Sequence, residues 1–584
     1  MRKNKYHVDE SRVWFKRESG WPEAVPKNIE FPEITLYEMF TQSVKKYGDR
    51  PIGWFLGSKM SYAEMGRHVE AMAASLAQAG FKKGDVLALL LPNSFQYIIA
   101  YFACAKLGIV VSGINPTYKA GEILHQLKTV NAKGLVVLDA LFPASVKPIL
   151  AQSGVEYLVH TNVADFLPKI KQILGKLLKK IPVGEVPAHS IPFMSLLANR
   201  GTVPTVKLDV EEDAATFIMT GGTTGVPKAA VLTHMNCVSN VVQAKAWLTG
   251  IQDNMCTIGI LPFFHSFAMT CVMNVTINEG GWIMIFPKPP TMDDLSQKVA
   301  SIGETGNTVF IGAEVLFQKM SDFIEENPNK YNLKNKLSLC ISGAGPLHRP
   351  VQEKFERLTG ARLTEGYGLT EASPIVSAGS FFGERTVGTI GMPLPGTDWR
   401  VVDVATGTRD MGLGEEEIGE LIVTGPQVMK GYLNREDETA DTIKVLEDGK
   451  RWLFTGDLGF KDVRGQVTLR DRKKQLIKYK GYSVFPKEVE ELVGGHPMVS
   501  EVAVHGLPDP ETGESIKAWV VLRTDSKGKI SEDELKAWCR ENMTHYKVPK
   551  YIEFRDDIPK TPVGKVLRRE LAEADPIYKK YANR

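Results

Sequence analysis

Short runs of β-branched and aliphatic residues alternate with segments of helical period through the first two-thirds of the chain. Residues 85–91 (DVLALLL) read as a buried strand, followed by an amphipathic run from Ser94. Residues 134–138, 155–160, 282–286, 308–311 and 337–341 repeat the strand pattern. Strands spaced by helices predict an α/β layered fold with mostly parallel sheets. After about residue 380 the texture changes. Residues 399–402, 419–423 and 466–469 are short strands between close Gly and Pro turns, which predicts a small β-rich subdomain. The C-terminal stretch reads as a smaller α+β unit, helical at 487–493 and 532–542, with strands at 499–505 and 516–522. The expected organisation is a large domain over 1–470, a hinge at 471–474 inside the charged run RDRKKQ, and a domain over 475–584.

Two segments depart from this rhythm. The most apolar stretch, 97–111 (YIIAYFACAKLGIVV), is interrupted by Lys106 and falls short of the ~20 apolar residues of a spanning helix. It predicts a buried helix running into a strand. Residues 168–182 (PKIKQILGKLLKKIP) place Ile170, Ile173, Leu174, Leu177, Leu178 and Ile181 on an i, i+3, i+4, i+7 stripe. Lys169, Lys171, Lys176, Lys179 and Lys180 carry the polar side. Two readings stay open: a basic helix making peripheral contact with an anionic membrane, or a surface helix docked on the core with solvated lysines.

Composition narrows the class. The chain has 584 residues, 43% hydrophobic and 24% charged, which is the balance of a folded globular protein. A formal net charge of +3 gives no electrostatic reason to expect a nucleic-acid partner. The N-terminus is charged from the start and lacks the apolar centre of a secretory signal. The six cysteines stand singly, with neither zinc spacing nor a disulfide framework, so reduced thiols in a cytoplasmic protein are expected.

The strongest chemical signal is TGGTTGVPKAA, starting at Thr220. Glycines let backbone N–H groups close on a phosphate, threonine hydroxyls add donors, and Lys228 adds a point charge. It is not a Walker A loop, because a proline precedes the lysine. A Gly/Thr turn without a ligand is the plainer alternative, and the tight grouping of Thr, Gly and Lys favours phosphate. A second signal, TEGYGLTEAS, sets Tyr367 between glycines where it could lie on a flat ring. In the same run Thr370 could bond a phosphate and Glu371 could hold Mg²⁺ through a hard oxygen. Helix capping by Thr370 would explain part of it. In the third, 448–474, Asp457 sits in a TGD turn where its carboxylate could accept both ribose hydroxyls, with Arg472 nearby. Turn chemistry alone would also place an Asp there. The fourth, PKTPVGK, holds Lys565 on a loop. Neither HExxH nor GxSxG occurs, and the SGAGP turn at 342–346 lacks the third glycine of a dinucleotide fingerprint.

In this order and spacing the four motifs resemble the adenylate-forming superfamily, from about residue 36 to 569, and look most like bacterial fatty acyl-CoA synthetases. The stretch from Asp448 is similar to a signature that typically reads DGWLHTGD. Here Lys450 and Arg451 are inserted and Phe454 stands for the histidine. Ala229 and Gln475 also depart from the usual glycine and acidic residue.

The resemblance implies a reaction of fatty acid, ATP and CoA through an acyl-adenylate, with medium to long chains favoured. An aryl or other acid–CoA ligase, or one loading a carrier protein, is the alternative. It further implies that Thr220, Gly221, Gly222, Thr223, Thr224, Gly225 and Lys228 hold the β- and γ-phosphates. Thr223 and Glu371 would coordinate Mg²⁺. Gly343, Ala344, Gly345, Glu365, Gly366, Tyr367 and Gly368 would form the adenine pocket, and Thr370 would face the α-phosphate. Asp457 and Arg472 would take the ribose, Lys474 the hinge, and Lys565 the adenylation chemistry. Gly481 would line the pantetheine tunnel and His265 the acyl and CoA path. Family members include monomers and homodimers, and the implied setting is the cytoplasm, at most peripheral to the inner face of the membrane.

Overall fold

A computed structural model describes residues 5–178, 181–220, 227–249, 254–302, 307–383, 385–480, 482–561 and 566–581. The chain divides into two compact units. One comprises Met1–Asp398 with Val423–Leu453; the other comprises Trp399–Ile422 with Phe454–Arg584.

The first unit holds two large sheets. One runs in the order Gly431–Tyr432, Lys228–Thr233, Ala214–Thr220, Val110–Gly113, Val86–Leu90, Gly134–Leu138, Tyr157–Thr161, Ile191–Pro192. Its strands are parallel from Ala214–Thr220 onward. The other has a parallel centre of Arg362–Gly368, Leu339–Ser342, Thr308–Gly312, Cys256–Gly259, Trp282–Ile285 and Pro51–Phe55, with antiparallel strands at both edges. Val86–Leu90 and Thr308–Gly312 are buried at every position, the mark of parallel strands covered on both faces. The layered α/β prediction holds.

The apolar stretch forms the helix Phe95–Leu107, running into the strand Val110–Gly113 as expected. The Ser94 hydroxyl accepts from the Tyr97 N–H at its start, and Gly108, at φ 67°, ends it. Its side chains share one core with residues of both sheets, which is why it is apolar all round. Lys106, near its end, reaches Glu70 at 2.7 Å.

The second unit is built on antiparallel ladders. Residues 457–461 pair with 467–472. A further sheet joins Val499–Asp509, Gly513–Leu522, Ile477–Tyr479 and Tyr482–Val484, with Tyr551–Arg555 parallel to Gly513–Leu522. Helices Pro486–Gly494 and Glu532–Asn542 cover its apolar face. The run expected to contain the hinge passes from the strand Val467–Arg472 into a single turn at Lys473–Gln475.

The basic segment forms the helix Lys169–Leu177. Its stripe does not dock on the core: Ile170, Ile173, Leu174, Leu177 and Leu178 are 54–76% exposed. The Gln172 side chain donates to the carbonyls of Asp165 and Leu167, and the Asn162 amide donates to the Pro182 carbonyl, fixing the segment from both sides. Among the described residues no helix is long and apolar enough to cross a membrane. All six cysteines are buried as free thiols.

Candidate active site

Strands Ala214–Thr220 and Lys228–Thr233 form a hairpin whose last register pair is Thr220↔Lys228. Gly221, Gly222, Thr223, Thr224 and Gly225 lie outside the described residues, and so do Gly481 and Lys565. The flanks of the Lys565 loop are fixed by the bridge Lys560↔Val566 and by Leu567 N–H donating to Pro559 at 2.9 Å.

At the root of the hairpin four side chains interlock, two of them predicted and two not. The Lys228 ammonium lies 2.5 Å from Glu438 and 4.0 Å above the Tyr432 ring. The Tyr432 hydroxyl donates to Glu371 Oε1 at 2.8 Å. Burial, reinforced by the neighbouring Glu371 carboxylate, pushes the Tyr432 phenol far above its ordinary range, so it stays a donor. Backbone bonds hold both partners: Met429 N–H donates to the Glu371 carbonyl, and Gly431–Tyr432 pairs with the hairpin strand. Tyr432 and Glu438 were not among the sequence candidates.

A second group of predicted residues lines one cavity. His265, Ser266, Gly343, Ala344, Gly366, Tyr367, Gly368 and Thr370 contribute to its wall. Their placement follows from topology. Gly343 and Gly366–Gly368 leave the carboxyl ends of adjacent parallel strands, where open α/β sheets bind ligands. The glycines are required by close approach. A Cβ at Gly343 would sit 2.7 Å from the Phe267 ring, and one at Gly368 would sit 2.1 Å from the Pro374 carbonyl. Ser266 and Thr370 place their hydroxyls 3.3 Å apart, and His265 Nδ1 accepts from Phe267 N–H. The rest of the wall is apolar apart from Thr257, with Ala244, Trp247, Leu248, Met255, Cys271 and Val275 among its residues.

Glu365 and Gly345 stand beside this cavity. Glu365 Oε2 accepts from Leu347 N–H at 3.1 Å, which ties the glycine turn to the strand ladder. Thr220, Lys228 and Glu371 belong to the hairpin cluster.

Asp457 and Arg472 belong to the second unit. They face each other across a ladder, with Arg472 Nε 2.9 Å from Asp457 Oδ1. Asp457 follows Gly456, which is left-handed at φ 72° and donates its N–H to Glu420. Lys473 also reaches Glu420, at 2.9 Å. Lys474 lies in the turn that follows.

The described residues contain no group of three or more His, Cys, Asp or Glu able to hold a metal. Glu371 is half-buried in the turn Thr370–Ala372 with Oε1 taken by Tyr432, and one carboxylate with water and substrate phosphate is a common ligand set for Mg²⁺.

The described residues thus bring together glycine-edged strand ends, a hydroxyl pair over a mostly apolar cavity, and a lysine–carboxylate cluster at the root of the 214–233 hairpin. The chain belongs to the AMP-binding enzyme family: that family matches residues 40–433, and its C-terminal domain matches 488–565. It is 37% identical over 561 residues to a long-chain-fatty-acid–CoA ligase of Bacillus subtilis, covering 95% of this chain and 97% of that one. An ATP-bound MatB structure from Rhodopseudomonas palustris superposes with a TM-score of 0.78 at 26% identity, covering 93% of this chain and 100% of the other. A long-chain-fatty-acid–CoA ligase from Archaeoglobus fulgidus superposes with a TM-score of 0.67 at 25% identity, over 90% of this chain and 98% of the other.

Proposed function

We propose that this enzyme is an ATP-dependent fatty acyl-CoA ligase, making acyl-CoA, AMP and pyrophosphate from a fatty acid, ATP and CoA. The observation that carries the reading is the cavity: apolar over most of its wall, with His265, Ser266 and Thr370 as polar residues where it meets the glycine strand ends. Such a cavity suits an aliphatic chain whose carboxylate lies at the nucleotide.

A carboxylate is a poor acyl donor, so it is activated first. Its oxygen attacks the α-phosphorus of ATP, the bond to the β-phosphate breaks, and pyrophosphate leaves. The CoA thiol, losing its proton, then attacks the acyl carbon of the adenylate, and AMP leaves. Lys228 and the Gly/Thr loop would hold the departing phosphates, Thr370 the α-phosphate, and Asp457 with Arg472 the ribose. Lys565 would place a positive charge where negative charge grows in the first step. Mg²⁺, bound through Glu371 and Thr223, would neutralise phosphate charge. Lys565 must leave before pantetheine enters, so the domain beyond a hinge at 471–474, pivoting about Lys474 with Gly481 along the thiol path, would turn between half-reactions.

The exposed stripe of Lys169–Leu177 is proposed to meet an anionic bilayer from the cytoplasmic side, where its substrate partitions. Aliphatic side chains flanked by lysines gain both from insertion and from anionic headgroups.

Pyrophosphate release over a panel of acids from acetate to oleate, with benzoate and amino acids, tests the reading. A maximum among fatty acids that requires CoA for turnover is expected. Release only with aryl or amino acids, or release indifferent to CoA, overturns the substrate or the acceptor.

A further inference from the structure

The wall residue Trp247 is backed by a part of the chain that no motif involves. Trp247 is 4% exposed and ends the helix His234–Trp247. The Trp21 ring packs against it edge to face, with centroids 5.4 Å apart and planes at 80°. Trp21 in turn lies 4.6 Å from Phe15, which lies 5.9 Å from Trp14. Both Trp14 and Phe15 are buried.

Each indole has its orientation fixed. Trp247 Nε1 donates to the Gly379 carbonyl at 3.1 Å, and Trp21 Nε1 donates to the Val25 carbonyl at 2.8 Å. The N-terminal segment is itself anchored by Arg12, 2.7 Å from the buried carboxylate of Asp398. An aromatic ladder therefore runs from this segment to the cavity wall.

His265, Ser266 and Thr370 lie beside the glycine strand ends, and a carboxylate placed there would leave its chain along the apolar wall. We infer that Trp247, held from behind by Trp21, is the blind end of the acyl cavity and sets the longest chain the enzyme accepts. The inference rests on the fatty-acid reading above. A wall that is pinned by a hydrogen bond and braced by a second ring cannot yield to one more methylene. In a hydrophobic pocket a single methylene is worth roughly tenfold or more in kcat/KM.

The test is the chain-length profile of kcat/KM for wild type, Trp247→Ala, Trp21→Ala and Trp21→Phe. Trp247→Ala is expected to raise the ratio for the next longer acids over the wild-type optimum by roughly tenfold or more. Trp21→Ala is expected to move the profile the same way by a few fold, and Trp21→Phe, which keeps an aromatic brace, to restore it. Active alanine variants that keep the wild-type profile overturn the inference.

A second measurement needs no active variant. In the wild-type enzyme an ω-brominated fatty acid should quench tryptophan fluorescence more than its α-brominated isomer, and Trp247→Phe should lose that difference. Equal quenching by the two isomers in wild type also overturns the inference. If no fatty acid supports pyrophosphate release by wild type, the fatty-acid reading fails instead.

Discussion

Removing one oxygen atom, in Tyr432→Phe, separates the chemistry of the hairpin cluster from its packing. The phenol donates to Glu371 at 2.8 Å, and its ring underlies Lys228 at 4.0 Å. Phenylalanine keeps the ring, so the lysine retains an aromatic face and the core retains its volume. The bond to the carboxylate goes, together with the hydroxyl's contact to the Thr442 side chain. A hydrogen bond to an ionised group contributes about 1.5–3 kcal/mol, which is roughly a tenfold to hundredfold change if it is fully felt in the transition state. The phenol stays protonated through the alkaline range, so it donates at every working pH. ATP–pyrophosphate exchange at limiting and saturating Mg²⁺, with a thermal melt beside it, reads the effect. The expected outcome is an exchange rate at least about tenfold lower at limiting Mg²⁺, partly recovered at high Mg²⁺, with little loss of melting temperature. A purely structural hydroxyl would lower the melting temperature and leave the Mg²⁺ dependence alone. Exchange within about twofold of wild type at limiting Mg²⁺ would refute the assignment of Tyr432 as the residue that positions Glu371.

Three other outcomes are expected. Lys565→Ala should abolish adenylate formation yet largely spare thioester formation from supplied acyl-adenylate, and equal loss of both half-reactions would remove Lys565 from its role. Ile173→Ser with Leu177→Ser should weaken flotation with anionic liposomes by at least about tenfold, since each buried aliphatic side chain is worth about 1.5–3 kcal/mol; unchanged flotation would return the helix to ordinary surface. His234 is buried and accepts from Leu36 N–H, and burial lowers its pKa from 6.5 to about 4. The unfolded chain therefore takes up a proton below pH 6.5 that the native chain refuses until about pH 4. Stability carried by the neutral ring is present above 6.5 and falls by about 2 kcal/mol on reaching pH 5, a slope that urea melts should show and His234→Gln should lose.

The parallel strands could be read from sequence because both of their faces are buried, so every position is apolar and the run stands out between helices. Thr35, Ser61 and Ser531 each precede a Glu at the third helical position, and each forms a capping box. The glycines at 343, 366 and 368 showed as motifs because close approach excludes every larger residue. Tyr432 and Glu438 did not, since a two-residue edge strand and the start of an exposed acidic helix look like any polar surface. Periodicity at 168–182 identified the helix but not its outer face, because the stripe is the same whether it meets a core or a bilayer. The N-terminal aromatics Trp14, Phe15 and Trp21 have no period at all, and only folding brings them behind the cavity.

The two sides of the cavity answer to different constraints, and that difference accounts for a family with one activation chemistry and many acids. On the side proposed for the nucleotide the surface is largely backbone: Gly343, Ala344, Gly366 and Gly368 sit at strand ends, and a carbon added at Gly343 or Gly368 collides with the Phe267 ring or the Pro374 carbonyl. Such a wall cannot vary without losing the fold of the strand ends, which suits the constant, nucleotide half of the proposed reaction. On the acyl side the surface is made of side chains from several elements, among them Ala244, Leu248, Met255, Cys271 and Val275. Exchanging one of these for another apolar residue changes the shape of the cavity at a modest cost in stability. Selectivity for the acid can therefore drift while activation of the carboxylate stays put. In this chain the drift is limited at one place, where the wall is braced from outside by the N-terminal segment through Trp21.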